Sequence, residues 1–276
     1  MTVALVLISA FLHAAWNALL RTEPDKDRAL VSAVGVAALL AAGVAAVRWS
    51  LGELPFATTT ALLWALAAGL LEWTYFVSLA RALERGPLGP VYTVSRGGAI
   101  VLVYPLSIAL FDERLTVLAA AGSALVFAGL ALSGARTGDT RTTHGPALAW
   151  ATVCAVAIAG YHLAYKASLG AGGNPSAVFA AALAVATGLN TIRVRGLGAV
   201  LRARLPRVLV MGVLCGGSFL LLLEALARGG AGHVLTLRNT SVLFATALAA
   251  AIGESPRRAQ VAGAALVAAG AILMAW

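Results

Sequence analysis

Four charged side chains, Glu72, Arg96, Glu224 and Arg238, stand inside otherwise apolar runs of the sequence. A charge in hydrocarbon costs several kcal/mol unless it is paired or wet, so each of these must tie helices together or meet an ion or ligand. Arg96 lies about eight residues into its run, hence about 12 Å deep at about 1.5 Å per helical residue. Glu72 lies about eleven residues from the same end of the preceding run, about 16 Å deep by the same arithmetic. The two can therefore meet, either as a pair that staples two helices or as the lining of a wet cavity where one member engages a ligand or a proton. Arg238 enters its run from the opposite face and lies about six residues in. Two such guanidiniums suit an anionic or zwitterionic ligand, because the planar fork grips carboxylate or phosphate in a bidentate way. The alternative for Arg238 is snorkelling to the headgroups. Glu224 has Arg228 one turn on, an i,i+4 pair of the kind that closes helix ends.

His13, Trp16 and Asn17 fall at i, i+3 and i+4 on one helical face, and Tyr161, His162 and Tyr165 do likewise in a later run. Trp16 and Tyr165, close to Arg21 and Lys166, also fit an interfacial aromatic belt. Asn17 and His162 do not belong against lipid and are expected to face a cavity. Tyr75, Tyr92 and Tyr104 would add stacking surface and hydroxyls, and Asn239 an amide beside Arg238. The candidate binding set is thus His13, Trp16, Asn17, Glu72, Tyr75, Tyr92, Arg96, Tyr161, His162, Tyr165, Arg238 and Asn239. No catalytic group, cofactor or metal is expected, since phosphate loops, paired catalytic carboxylates and metal-ligand spacings are missing. Cys154 and Cys215 both lie in apolar runs. Gly216-Gly217-Ser218-Phe219 is a poor copy of a rhomboid-type serine motif. It lacks the final glycine, and its base would have to be His233, near a run end.

The elements that must position these groups follow from composition. Of 276 residues 61% are hydrophobic and only 11% charged, against about 25% charged in a soluble domain. That excludes an ordinary soluble enzyme and a disordered chain, and leaves an all-α integral membrane protein whose runs approach the roughly 20 residues of a bilayer-spanning helix. Ten spans are read at 2–20, 28–47, 59–83, 88–111, 115–133, 145–166, 174–194, 207–228, 232–252 and 257–276. Pro87 divides the third from the fourth, because one helix of that combined length would cross twice and proline would break it. The first twelve residues lack a basic leader, so no cleavable signal peptide is expected. Spans two, five, seven and ten are nearly pure Ala, Val, Leu and Gly, suited to close packing as an outer scaffold. The other six would surround the pathway.

The net charge of +9 comes from 18 Arg and 2 Lys against 11 acids. It sits in short gaps between spans, without the aromatic-basic patches of a nucleic-acid binder, so no nucleic-acid partner is expected. Four Lys/Arg (Arg48, Arg114, Lys166, Arg228) flank the spans on the N-terminal side and fourteen on the other, five of these within Arg193–Arg207. By the positive-inside rule both termini would lie outside.

The two halves repeat. Glu113, Gly122 and Gly129 recur 141 residues on as Glu254, Gly263 and Gly270. Arg85-Gly86, Gly89, Val91 and Thr93 recur 143 residues on as Arg228-Gly229, Gly232, Val234 and Thr236, while Trp16 and Arg21 answer to Tyr161 and Lys166 at 145. The polar stretch 134–144 separates a five-span unit at 1–133 from a second at 145–276. An odd number of crossings per unit turns the second upside down, and inverted repeats place a transport site at the midplane.

Five plus five spans resemble the EamA-type transporters of the drug/metabolite transporter superfamily. The likeness is carried by His13-Ala14-Ala15-Trp16-Asn17-Ala18-Leu19-Leu20-Arg21, by the turns Asp112-Glu113-Arg114-Leu115 and Gly253-Glu254-Ser255-Pro256, and by the glycine-spaced fifth and tenth spans. Asp112 stands where the family's first-half turn has glycine. The resemblance implies a multi-pass protein of a bacterial inner membrane that exports amino acids, metabolites or drugs, driven by a gradient and not by ATP. It also implies cytoplasmic termini, against the charge count. Small-molecule substrate and membrane lipid are the expected partners, and protons a candidate coupling ion. The rival readings are a lipid flippase, a membrane assembly subunit without transport of its own and, last, a rhomboid-like intramembrane protease.

Overall fold

The apolar runs read as spans are mainly helical where the structure describes them. The chain is represented by a computed structural model that describes residues 2–85, 91, 93–114, 116–134, 145–251 and 257–275; within them the β structure is confined to one isolated bridge, Phe56 to Gly173. Along the chain run α1 (Thr2–Arg21), α2 (Lys26–Ser50) and α3 (Thr59–Arg85). A π-helical turn, Thr93–Gly97, leads into α4 (Gly98–Phe111), which is followed by α5 (Val117–Gly134), α6 (Gly145–Gly170) and α7 (Pro175–Arg193). The last elements are α8 (Leu197–Arg228), α9 (Ala231–Arg238), α10 (Ser241–Ala251) and α11 (Arg258–Ala275). Seven described stretches are long and apolar enough to cross a membrane: Thr2–Leu20, Lys26–Ser50, Thr59–Ala82, Val94–Phe111, Gly145–Gly170, Pro175–Arg193 and Arg202–Arg228. Val117–Leu132 and Arg258–Met274 are apolar but shorter.

Two spans depart from the expected form. The one read at 232–252 is divided between α9 and α10, with a turn at Asn239-Thr240. The one read at 207–228 extends back to Leu197 through a kink at Arg204, whose φ of −135° and ψ of 22° are not helical. Pro206 explains the kink, because it lacks the N–H that would reach back one turn and its ring crowds that carbonyl.

The helices group into two compact units: Met1–Trp73 with Ala164–Arg228, and Thr74–Leu163 with Gly229–Trp276. Each unit draws helices from both halves of the sequence.

In the first unit α8 packs on α1 and α2, and α2 also packs on α7. Small residues permit the approach. A Cβ at Gly216 would come within 2.9 Å of Leu40 and 3.3 Å of the Ala37 backbone, and one at Gly69 within 2.8 Å of the Val185 Cβ. Helix ends are capped by side chains that satisfy free backbone N–H groups. Asp25 accepts from the Arg28 amide at 3.1 Å to start α2, and Asn174 accepts from the Ser176 amide at 3.1 Å to start α7. The α2–α3 loop pairs with the α6–α7 loop through Ala57 N to Gly172 O, 2.9 Å, and Asn174 N to Pro55 O, 3.0 Å. At that end Arg48 meets Glu224 at 2.6 Å, and Asn174 donates to Glu53 at 2.6 Å.

In the second unit the closest pair is α5 with α11. A Cβ at Gly122 would stand 2.6 Å from the Gly270 carbonyl oxygen, and one at Gly129 would stand 2.5 Å from that of Gly263. Around this pair Ile100, Val126, Leu130 and Val267 form an apolar core, flanked by Tyr104 and Val242. The Tyr104 ring lies over Gly232 of α9, where a Cβ would come within 2.5 Å of it. Asp112 ends α4 in the left-handed region, at φ 52° and ψ 31°. The chain then delivers the Glu113 carboxylate to the start of α9, where Oε1 accepts from Ala231 N at 2.5 Å and Oε2 from Gly232 N at 3.3 Å. A carboxylate there satisfies free amides and suits the positive end of the helix dipole. Its repeat mate Glu254 lies outside the described residues.

Candidate functional site

The second unit collects six of the predicted binding residues. Arg96 sits in the π-helical turn Thr93–Gly97, an extra-residue bulge that re-aims side chains and is frequent at functional sites. Arg238 ends α9 and Asn239 caps it; both are buried, Arg238 to 2% exposure. A cation in the last helical turn complements the carbonyl ends of the helix. His162 of α6, 1% exposed, lies within electrostatic reach of both Arg238 and Arg96. Its Nδ1 is 2.8 Å from the Ile158 carbonyl. A carbonyl can only accept, so Nδ1 carries a proton, and whenever the ring is neutral Nε2 is the acceptor. That Nε2 is buried and has no hydrogen-bond partner among the described residues. Tyr161 stacks on the His162 ring at a centroid distance of 4.3 Å, and Tyr75 lies 6.0 Å from Tyr161.

The polar lining continues through residues that sequence reasoning passed over. Ser78, Ser95 and Cys154 are all buried, and the Cys154 thiol lies against both hydroxyls and within reach of Arg96. Each serine also satisfies its hydroxyl on its own helix: Ser78 donates to Tyr75 O at 3.1 Å and Ser95 to Val91 O at 2.8 Å. Thr236 does the same to Gly232 O at 2.9 Å. The available signal was spacing, because Ser78 falls one turn after Tyr75 and Ser95 directly precedes Arg96.

The irregular backbone has a repeat relation of its own. Thr93 and Gly97 bound the π-turn, and the positions 143 residues later, Thr236 to Thr240, cover the last turn of α9 and the break at Asn239-Thr240. There the backbone runs through tight i→i−3 bonds: Asn239 N to Thr236 O, 3.0 Å, and Thr240 N to Leu237 O, 3.0 Å. Arg96 thus stands on a departure from regular helix, and Arg238 ends α9 immediately before one. In membrane proteins such departures survive only where protein or a cavity covers them.

The first unit holds five of the others. His13 and Trp16 are buried, and the Trp16 indole N–H donates to His13 Nδ1 at 3.3 Å. The His13 ring meets Phe219 of α8 edge-on at 6.1 Å, and Phe219 stacks on Phe179 at 5.1 Å. Asn17, half-buried, donates back to the His13 carbonyl at 2.6 Å. Glu72, 2% exposed, and Tyr165 are buried here too. Glu72 belongs to this unit and Arg96 to the second. Tyr92 lies outside the described residues. Glu224 keeps its expected partner Arg228 at 2.9 Å and gains Arg48. Ser218, of the weak serine motif, is buried and accepts through its carbonyl from the Ser9 hydroxyl at 2.6 Å.

Comparison with known proteins bears on what such a frame does. The sequence pattern of the EamA-like transporter family matches residues 145–276. No curated protein matches the chain. Among solved structures, one described only as a crystal structure of a protein is similar in fold, with a TM-score of 0.74 at 20% identity over 99% of this chain and 95% of that chain. Residues 145–276 are thus similar to the EamA-like transporter family, whose members are membrane transporters and not enzymes.

Proposed function

We propose that the chain is a secondary active transporter that exports a small anionic or zwitterionic metabolite by alternating access. The observation that carries this reading is the buried His162 within reach of both Arg96 and Arg238. Each guanidinium can hold a carboxylate through two parallel hydrogen bonds. The open Nε2 of His162 is suited to accept from an ammonium or hydroxyl of the same molecule, an unmade bond that otherwise costs about 1–3 kcal/mol in a buried site. Within the second unit Tyr75, Tyr161 and Asn239 supply further contacts, Tyr92 remains a candidate from the sequence, and His13, Trp16, Asn17 and Tyr165 are candidates carried by the first unit. Glu72 is the candidate carrier of a coupling proton.

In this reading ten helices cross a bacterial inner membrane as two inverted repeats, 1–133 and 145–276, joined by 134–144. The antiparallel meeting of α5 with α11 supports the inversion, and so do the matched irregular turns at 93–97 and 236–240. Substrate exchange by purified protein in liposomes tests the reading. Arg96→Lys keeps the charge but loses the fork, so exchange should weaken while the protein still inserts. Arg238→Gln should lose anionic substrates before neutral ones. Equal exchange of anionic substrate by wild type and Arg238→Gln would refute the assignment.

A further inference from the structure

One end of the first unit is crowded with arginine. Arg193, Arg195, Arg202, Arg204 and Arg207 fall within the α7–α8 connection and the first turns of α8. The first turn of α2 docks against them, with Arg28 Nε donating to the Arg195 carbonyl at 2.8 Å. The acids of the α1–α2 loop are largely committed. Glu23, buried, pairs with Arg207 and stands 3.7 Å from Arg204, while Asp25 holds Arg28 at 2.9 Å. Glu23 therefore takes the two arginines that flank the Pro206 kink and anchors the point where the membrane-crossing part of α8 begins. Arg193, Arg195 and Arg202 remain exposed, and among the described residues no acid pairs with any of them.

Their neighbours give the surface its meaning. Ile192, on the last turn of α7, and Leu205, Leu209, Val210 and Val213, on α8 beyond the kink, are exposed apolar side chains. In a membrane-crossing chain such side chains lie against hydrocarbon. The arginines without an acid thus stand at the rim of the apolar band, Arg193 donating, among the described residues, only to the Asn190 amide oxygen at 3.4 Å. We propose that this face binds anionic phospholipid headgroups, with Arg193, Arg195 and Arg202 holding the phosphates. A guanidinium matches phosphate geometry in a bidentate way, and each basic residue near an anionic membrane surface strengthens association about fivefold. An acidic soluble partner would gain nothing from arginines set beside an exposed apolar band, whereas a lipid molecule uses both at once.

The test counts bound lipid on the full-length protein by native mass spectrometry, from micelles doped with either phosphatidylglycerol or phosphatidylcholine. Wild type should retain phosphatidylglycerol severalfold better, and added salt should erode the preference. The triple variant Arg193→Gln, Arg195→Gln, Arg202→Gln should retain the two lipids equally, and the triple Arg→Lys variant should keep most of the preference. Arg114→Gln, in the second unit, should behave as wild type. Thermal unfolding of each variant identifies any that misfolds, in which case the Lys triple and the salt titration of wild type carry the decision. Equal retention of both lipids by wild type, or an undiminished preference in a folded Gln triple, would overturn the proposal.

Discussion

Gly122 of α5 faces Gly270 of α11, so closely that a Cβ on either would stand within about 2.6 Å of the other's carbonyl oxygen. Seven residues on, Gly129 faces Gly263. Gly122 repeats as Gly263 and Gly129 as Gly270, so each glycine meets the mate of the other. A parallel pair would set Gly122 against its own mate. This crossed arrangement requires α5 and α11 to run antiparallel, with backbones close enough that packing between small residues supplies the attraction.

Substitution at that contact should therefore be costly. Gly122→Leu must displace backbone as well as the Met274 side chain, and a loss of about 1–3 kcal/mol or more is expected from overpacking. Gly188→Ala, at a helical position with open space around it, should be neutral or slightly stabilising. Thermal melts followed by size-exclusion chromatography compare the two. A Gly122→Leu protein that melts with wild type would contradict the close contact.

The Glu113 carboxylate and Gly230 should be coupled energetically. Gly230 has an ordinary extended backbone, φ −69° and ψ 144°, so its need for glycine comes from Glu113, whose Oε2 would lie 2.5 Å from a Cβ there. Glu113→Ala should cost about 1 kcal/mol of cap and dipole interaction. Gly230→Ala should cost more in wild type than in the Glu113→Ala background. A double-mutant cycle on unfolding measures the difference, and additive effects would dissociate the two residues.

Glu23→Gln should destabilise the protein by about 1–2 kcal/mol. Breaking a fully buried ion pair costs about 3–5 kcal/mol, but the arginine side chains here are 37% and 43% exposed and screened accordingly. Denaturation followed by tryptophan fluorescence reads the shift. No shift would mean that solvent already satisfies both arginines.

Span positions were legible because the bilayer fixes their length. The runs read at 2–20 and 174–194 became Thr2–Arg21 and Pro175–Arg193. The break at Asn239-Thr240 was not legible, since no proline or glycine marks it, and the π-turn at Thr93–Gly97 left no trace in the apolar pattern. Pro206 misled in the other direction. The span read from 207 begins just after it, whereas α8 starts at Leu197 and carries it beside the kink at Arg204. Among the candidate residues, polarity inside an apolar run singled out Arg96, His162 and Arg238, all three in the second unit. It could not find Glu113's hold on Ala231, a contact across 118 residues that depends on how α4 and α9 pack. The mixing of both sequence halves in each compact unit is hidden for the same reason, because local periodicity says which face is apolar but not what covers it.

The central claim is that Arg96 and Arg238 together hold an anion in transit. The most direct measurement is uptake of an anionic metabolite by proteoliposomes, with a proton gradient applied and then collapsed, for wild type and the Arg96→Gln, Arg238→Gln double variant. Gradient-dependent uptake by wild type that the folded double variant loses is the predicted result. Undiminished uptake of the same anion by the double variant would contradict it and leave the two arginines as structural ties.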